Sequence, residues 1–144
     1  MNGQVDVEYE QGDRFLVRIR DHELVTDQPA ESGGGDVGPT PTELFVAALV
    51  SCVGFYAERY LRRHELPSEG LRVTGWFTMA DTPARVDAVR IAVELPEGIP
   101  DKRRETLLAV VEKCTVHNSL RHAPDVQIEV GTRHPVAAGE RREA

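Results

Sequence analysis

Residues 40–63 read TPTELFVAALVSCVGFYAERYLRR and predict one long helix. Thr40 can cap its first turn, Pro41 suits the first helical position, and Glu43 stands where a capping box places a carboxylate. The helix should end near Arg63, because proline and glycine follow within a few residues. Apolar side chains cover most of its circumference, so we expect a buried central helix rather than a surface helix.

Strands are predicted on both sides of this helix, because side chains alternate with period two. The alternating segments are 5–10, 15–19, a short one near 22–26, 71–79 and 89–95. A second helix is predicted from Asp101 to Cys114, and a last strand from Asp125 to Val130. This order predicts an α+β fold with helices packed on antiparallel sheets.

The length of 144 residues favours a single domain. We expect this domain to span residues 1–130 and to be followed by a flexible tail over 131–144. One small sheet cannot cover a helix that is apolar on most of its faces. The pattern therefore hints at a dimer whose second copy supplies the missing cover.

Residues 28–38 interrupt all periodicity with Pro29 and the three glycines at 33–35. We expect a mobile loop, which is either a flexible crossover or a flap over a site. The loop lacks the Gly-Lys-Ser/Thr ending of a phosphate-binding loop, so phosphate binding is disfavoured.

Composition limits the partners and the compartment. The net charge of −7 and the pI near 5.2 argue against binding to nucleic acids and anionic membranes. No apolar run approaches the roughly 20 residues of a membrane span, and the N-terminus lacks the pattern of a secretory signal. Two cysteines are too few for a secreted disulfide framework, so we expect a cytoplasmic protein. We expect no cofactor.

Cys52 and Cys114 each fall on the apolar stripe of a different predicted helix. They are either two inert core thiols or a redox couple, and spacing alone favours the inert reading. Cys114 is predicted at a helix C-terminus, where the dipole disfavours a thiolate. If one sulfur attacks a substrate, Cys52 is therefore the better candidate and Cys114 is the resolving thiol.

Other side chains could assist these thiols. Arg14, in the first hairpin, could supply a cation near Cys52, although a solvated strand face is the more common role of such an arginine. Glu43 could act as a base or orient an arginine, but its capping-box position explains it without a function. Cys114 and His117 could form half of a zinc site or a Cys-His hydrolytic pair, although neither has a complete set of partners.

Two segments in combination resemble the OsmC/Ohr family. Residues 38–44 read GPTPTEL and lead through the apolar helix to Cys52, which is similar to the family pattern G-x-x-P-x-E-L … C. Residues 112–120 read EKCTVHNSL, which is similar to the family segment C-P-V-H-x-x-L, with Thr115 in place of the usual proline. The resemblance spans residues 5–130.

The resemblance implies an intertwined homodimer with helices between two sheets and a site at the dimer interface. It also implies reduction of organic hydroperoxides, in which Cys52 is oxidised to a sulfenic acid and Cys114 condenses with it to a disulfide. An external dithiol would then reduce that disulfide, and Arg14 would activate Cys52.

One position departs from the family pattern. Characterised peroxidase members carry a glutamate ten residues before the first cysteine, where it holds an arginine against the sulfur. Thr42 occupies that position here, and Glu43 lies one residue later, which is a turn of about 100° along a helix. The chain thus resembles the less characterised OsmC-like subgroup more than the core peroxidases.

Two hypotheses follow from the sequence. The first is a dimeric thiol-dependent peroxidase that uses Cys52, Cys114 and Arg14. The second is a non-catalytic member whose thiols sense oxidants or bind a small apolar ligand. Repeated turnover of peroxide with a dithiol distinguishes the first from the second.

Overall fold

The computed structural model of the chain describes residues 3–131. Its elements are β1 (Asp6–Gln11), β2 (Arg14–Ile19), β3 (His22–Thr26), a short 3-10 turn (Ala30–Ser32), α1 (Pro41–Arg63), β4 (Arg72–Asp81), β5 (Ala84–Glu94), α2 (Asp101–Val111) and α3 (Thr115–Arg121). The predicted α+β class, with antiparallel sheets and one long helix, is confirmed. The predicted tail lies outside the described residues except for Gly131.

The N-terminal sheet consists of β1, β2 and β3 in antiparallel order. Val7 pairs with Val17, and Val17 pairs with Leu24, so one row of apolar side chains crosses all three strands. Another row is charged: Arg18 donates to Glu8 at 2.7 Å and to Glu23 at 2.8 Å. Every residue of β1 is exposed. Both faces of this outer strand are therefore open to solvent in one chain.

The helical body is built around α1. The predicted capping box is present, because the Glu43 N–H donates to Thr40 Oγ1 at 3.1 Å and the Thr40 N–H donates to Glu43 Oε2 at 2.7 Å. The long hairpin of β4 and β5 packs on one side of α1, and α2 and α3 pack on another. Its buried core consists of Leu49, Val53, Ala57, Tyr60, Leu61, Ile99, Leu107, Val111 and Cys114. All of these residues come from α1 or from segments after β5.

Close packing of α1 on β4 depends on Gly75. A Cβ atom at this position would overlap Cγ2 of Val50. The glycine in an otherwise alternating strand therefore lets the hairpin approach the helix, as a glycine in a strand often does.

The predicted end of the second helix was wrong. The helix ends at Val111, and Cys114 adopts an extended conformation, with φ −62° and ψ 150°, as the N-cap of α3. The apolar pattern through Leu107, Val111 and Cys114 belongs to one buried surface, but two helices contribute to it.

The predicted strand at 125–130 was also wrong for the single chain, since these residues form no strand. Val126, Ile128 and Val130 alternate as predicted but are 71%, 85% and 96% exposed. A strand needs a neighbour to satisfy its backbone groups, and this segment has none in one chain.

The expectation that no segment matches a membrane span was wrong by length and composition. Helix α1 has 23 residues and is apolar enough to cross a membrane. The same test is passed by the core helix of a soluble protein, and Leu49, Val53, Ala57 and Leu61 of α1 lie in the protein core. Packing in one chain accounts for only part of its apolar character, because 33% of the apolar window is buried and Phe45 and Phe55 are 43% and 54% exposed. The predicted burial through most of the circumference is therefore not present in the single chain.

Candidate functional site

The two cysteines lie against each other where α1 meets α3. Both thiols are free, with Cys114 fully buried and Cys52 partly buried. Cys52 packs against the core cluster that contains Cys114, close enough for the two thiols to interact. Tertiary packing thus brings together the pair that the sequence placed on separate helices.

Cys114 is held as a neutral thiol. Burial raises its pKa above the usual thiol value, and the neighbouring Cys52 thiol raises it further. Backbone N–H groups of His117 and Val116 oppose this shift without cancelling it, and the His117 N–H donates to the sulfur at 3.4 Å. The sequence-based expectation that a helix C-terminus disfavours the thiolate was wrong in its cause, because Cys114 lies at a helix N-terminus and burial has the larger effect.

A hydroxyl pair connects the two helices beside the sulfurs. Tyr56, one turn after Cys52 on α1, has its hydroxyl 3.0 Å from Oγ1 of Thr115, the residue that follows Cys114. A proline at position 115 would lack this hydroxyl. The departure from the family segment therefore adds a polar contact that fixes α3 to α1 next to the thiols.

An apolar cavity of about 220 Å³ lies between α1, β5 and α2 and is lined by chain neighbours of both cysteines, but by neither cysteine itself. Leu49 and Val53, which flank Cys52 on α1, form part of its wall, and so does Val111, three residues before Cys114. Glu112 and His117 are its polar lining residues. The cavity is large enough to accept a small apolar group, and His117, whose N–H donates to the Cys114 sulfur, is part of its wall.

Arg14 lies in a different part of the molecule. Its guanidinium is 3.9 Å from the Glu10 carboxylate, and it lines a cleft together with Asp27 and the glycines 33–35. Within residues 3–131 of one chain, no contact between Arg14 and either cysteine is present. Its predicted role of activating Cys52 stays a prediction.

Glu43 has a structural role in one chain, since its carboxylate accepts from the N-cap amide of α1. Thr42, which replaces the family glutamate, lines another cleft with Phe45 and Met79. Neither Thr42 nor Glu43 contacts Cys52 within the described part of one chain. The catalytic role that we assigned to Glu43 also stays a prediction.

Asp27 is a residue that sequence reasoning missed. It is 2% exposed, and its carboxylate accepts from the backbone N–H groups of Gln28 at 2.8 Å, Gly35 at 3.1 Å and Val37 at 3.3 Å. Burial alone would raise its pKa, but these three hydrogen bonds and the nearby charge of Arg14 lower it overall. An acid directly before a Pro- and Gly-rich loop was the available signal, because aspartate often hydrogen-bonds the backbone of a following turn.

The loop at 28–38 is consequently tied down, whereas the sequence suggested a mobile segment. In addition to the Asp27 contacts, the Asp36 N–H donates to the Gln28 carbonyl at 3.1 Å. Cβ atoms at Gly34 and Gly38 would overlap the backbone carbonyls of Gln28 and Val25. The glycines therefore permit close packing of the loop against its own stem.

Metal binding was one alternative from the sequence. In the part of the chain that the structure describes, no group of three or more His, Cys, Asp or Glu side chains is arranged to hold a metal ion.

Residues 33–129 match the OsmC-like protein family, and the chain therefore belongs to this family. No match was found among curated proteins. Solved structures with the same fold include a protein from Psychrobacter arcticus that is provisionally assigned to osmotic stress and detoxification responses. The two chains share 26% identity over 80% of this chain and 85% of that one, with a TM-score of 0.74.

Two further structures carry names that refer to organic hydroperoxide resistance. One is from Legionella pneumophila, with 21% identity, coverage of 84% and 90%, and a TM-score of 0.62. The other, from Vibrio cholerae, is provisionally assigned and has captopril in one active site, with 22% identity, coverage of 86% and 88%, and a TM-score of 0.65. At this identity the two structures establish a shared fold.

Proposed function

We propose that this protein reduces organic hydroperoxides through Cys52 and Cys114, as part of a defence against oxidative stress. The observation that carries the proposal is the close approach of two free thiols of unequal burial. The more accessible Cys52 is the attacking sulfur. The buried Cys114, whose pKa is raised, is the resolving sulfur. The names of two structural neighbours agree with this chemistry.

The reaction has three steps. The Cys52 thiolate attacks the terminal oxygen of the hydroperoxide, the O–O bond breaks, and the alkoxide leaves and takes a proton to become an alcohol. The Cys114 sulfur then attacks the resulting sulfenic acid, which forms a disulfide and releases water. An external dithiol returns two electrons and two protons and regenerates both thiols.

The apolar cavity supports an organic rather than an inorganic peroxide. Its wall of Leu49, Val53 and Val111 offers no ionic group to a peroxide except at Glu112 and His117. Burial of an alkyl group there contributes roughly 0.8 kcal/mol per methylene. Hydrogen peroxide has no such group.

We include a homodimer in the proposal. Phe55, Trp76 and Met79 are exposed by 50% or more in one chain, and so are Val7 and Tyr9 of β1. Exposed apolar area of this extent marks an interaction surface. A second copy would cover these side chains, and the Arg14 that activates Cys52 would act in that assembled state. The cytoplasmic location remains a prediction.

The central test combines mass spectrometry with thiol counting. Reduced protein is mixed with one equivalent of tert-butyl hydroperoxide, and we expect the loss of two hydrogens and of both free thiols. Cys52→Ser should abolish the reaction, whereas Cys114→Ser should stop at the sulfenic acid. Unchanged thiols after prolonged exposure would refute the redox function.

A second candidate function is a stoichiometric thiol sensor. It is favoured by the position of Arg14, which pairs with Glu10 rather than with a cysteine in one chain, and by Thr42 in place of the family glutamate. Peroxide consumption in excess dithiol separates the two functions. Many turnovers support the enzyme, and a single equivalent supports the sensor.

Alkylation tests the assignment of the two sulfurs. Iodoacetamide at neutral pH should label Cys52 well before Cys114, because Cys114 is fully buried and its pKa is raised. Peptide mapping at short times measures this order. Faster labelling of Cys114 would reverse the proposed roles.

A further inference from the structure

A cleft at the C-terminal end of α1 collects basic side chains. Arg59, Arg63 and His64 line it together with Tyr60 and Thr106. Its volume is about 480 Å³, which lies within the range of small-molecule sites in proteins. The chain as a whole has a net charge of −7, whereas none of the described residues that line this cleft is acidic.

The two arginines of this cleft have no acidic partner within residues 3–131. Arg62, which lies between Arg59 and Arg63 in the sequence, behaves differently. Its guanidinium is 3.5 Å from the Glu58 carboxylate, and it does not line the cleft. Arginines near a helix C-terminus are favourable to its dipole in general. The dipole would favour Arg59, Arg62 and Arg63 alike. It therefore does not explain why only Arg59 and Arg63 of these three line the cleft.

Tyr60 contributes an unused hydrogen-bonding group to the cleft wall. Its side chain is 5% exposed, and its hydroxyl is buried without a hydrogen-bond partner in the described chain. Its ring stacks on His64 at 4.2 Å between centroids. The His64 Nδ1 donates to the Tyr60 carbonyl at 2.8 Å, which fixes the orientation of the imidazole. Buried hydroxyls without partners are uncommon, because the lost interaction with water is not replaced.

The cleft lies on the same helical stripe as Cys52. Tyr56, Arg59 and Arg63 follow Cys52 at spacings of four, seven and eleven residues, which places all four on one side of α1. At 1.5 Å per residue, Arg59 is roughly 10 Å and Arg63 roughly 16 Å from Cys52 along the helix axis. Tyr56 lines the cleft and thus connects it to the thiol pair.

We propose that this cleft is an anion site that binds the carboxylate of an amphipathic ligand, whose apolar chain extends along α1 toward Cys52. A guanidinium presents parallel N–H donors that match the two oxygens of a carboxylate, and two such groups on adjacent turns can hold one head group. The anion site itself is independent of the peroxidase proposal. Only the reach of the chain to Cys52 rests on that proposed function.

Octanoate and octanamide are suitable probes, because they share the apolar chain and differ in charge. Titration calorimetry on the reduced, full-length protein should show binding of octanoate and much weaker binding of octanamide. The double variant Arg59→Gln/Arg63→Gln should weaken octanoate binding roughly tenfold or more, as expected for the loss of charged hydrogen bonds. Arg62→Gln is the matched control and should leave binding unchanged.

Equal binding of octanoate and octanamide would overturn the proposal, and so would undiminished binding by the double variant. Arg59→Lys/Arg63→Lys should keep part of the affinity, since the charge remains and the paired donors are lost. If the double Gln variant is less stable in thermal melting, the two single variants are measured separately, and each must weaken binding by itself.

Peroxidase assays keep this proposal separate from the function of the thiols. Reduction of tert-butyl hydroperoxide, which is neutral and compact, should not change in the Arg59→Gln/Arg63→Gln variant. Arginine-dependent octanoate binding in a protein that consumes no peroxide would support the site and reject the peroxidase. Peroxide turnover without octanoate binding would support the peroxidase and reject the anion site.

Discussion

The N-terminal sheet and the helical body bury their side chains to very different extents. In the body, Ala57, Leu61 and Cys114 are completely inaccessible, and the core is continuous from α1 to α3. In the sheet, Val17 and Thr26 are buried within the strands, and no residue of β1 to β3 belongs to the core. The body therefore has a core of its own, whereas the outer strand of the sheet is exposed in one chain and would be covered in the proposed dimer.

The difference in burial matters for the proposed function, because the two thiols lie in the body and Arg14 lies in the sheet. A redox pair needs fixed geometry, which dense packing around Cys114 provides. An activating cation on the sheet would be positioned by assembly rather than by the fold of one chain. The predictions below test this division, from the largest expected effect to the smallest.

The body should lose most stability when its core is truncated. Leu61→Ala removes a fully buried side chain and should lower the free energy of unfolding by about 2–5 kcal/mol. Leu108→Ala on α2 is the matched control, because Leu108 is 59% exposed. Urea denaturation measures both, and equal losses would show that the core does not lie where the structure places it.

Overpacking the junction of α1 and β4 should have the next largest effect. Gly75→Val introduces atoms into the space of Val50 and should cost about 1–3 kcal/mol. Adding Val50→Ala to Gly75→Val should recover part of this loss. A double variant that is no more stable than Gly75→Val alone would contradict the close approach at this point.

A substitution on the exposed face of the sheet should change the dissociation of the dimer rather than the free energy of unfolding of one chain. Val7 is 56% exposed in one chain. If a second copy covers it, Val7→Asp should weaken the dimer by about tenfold or more, since burial of a valine contributes about 1.5–3 kcal/mol. Sedimentation over a range of concentrations checks this, with the exposed Lys102→Asp as a control. Identical dissociation curves for the three proteins would place the interface elsewhere.

Asp27, which ties the loop at 28–38 to the sheet, should give the smallest effect on stability, and the pH dependence of its contribution should fall in the acid range. The pKa of its carboxyl is lower in the folded protein than in the unfolded chain. Its stabilising contribution is therefore present above the unfolded pKa near 3.9 and is lost as the pH falls through the folded pKa. Asp27→Asn should flatten the pH dependence of stability below about pH 4.

Amide hydrogen exchange gives a local readout of the same variant. Exchange at Gly35 and Val37 should be faster in Asp27→Asn, because both amides donate to the carboxylate. Amides within α1 serve as the reference and should not change. Unaltered protection at Gly35 would mean that the loop is ordered by other contacts.

Much of the architecture follows from local patterns. The bounds and capping of α1, the hairpins on both sides and the α+β class could be predicted, because capping and side-chain periodicity act over a few residues. The second helix was predicted too long, since the apolar spacing of Cys114 continues that of Leu107 and Val111 across a break in the backbone. The strand at 125–130 has the right pattern but no partner in one chain.

The sequence by itself determined that one long helix organises the chain, and it supplied the two cysteines on which the proposed chemistry depends. Only the tertiary structure decided that Cys52 and Cys114 lie close together, that burial raises the pKa of Cys114, and that Arg59 and Arg63 share a cleft on the stripe of Cys52. The physical reason is the distance along the chain over which each effect acts. Periodicity and capping depend on neighbours within one or two turns, whereas the pKa of a thiol and the partners of an arginine depend on residues that only folding brings near.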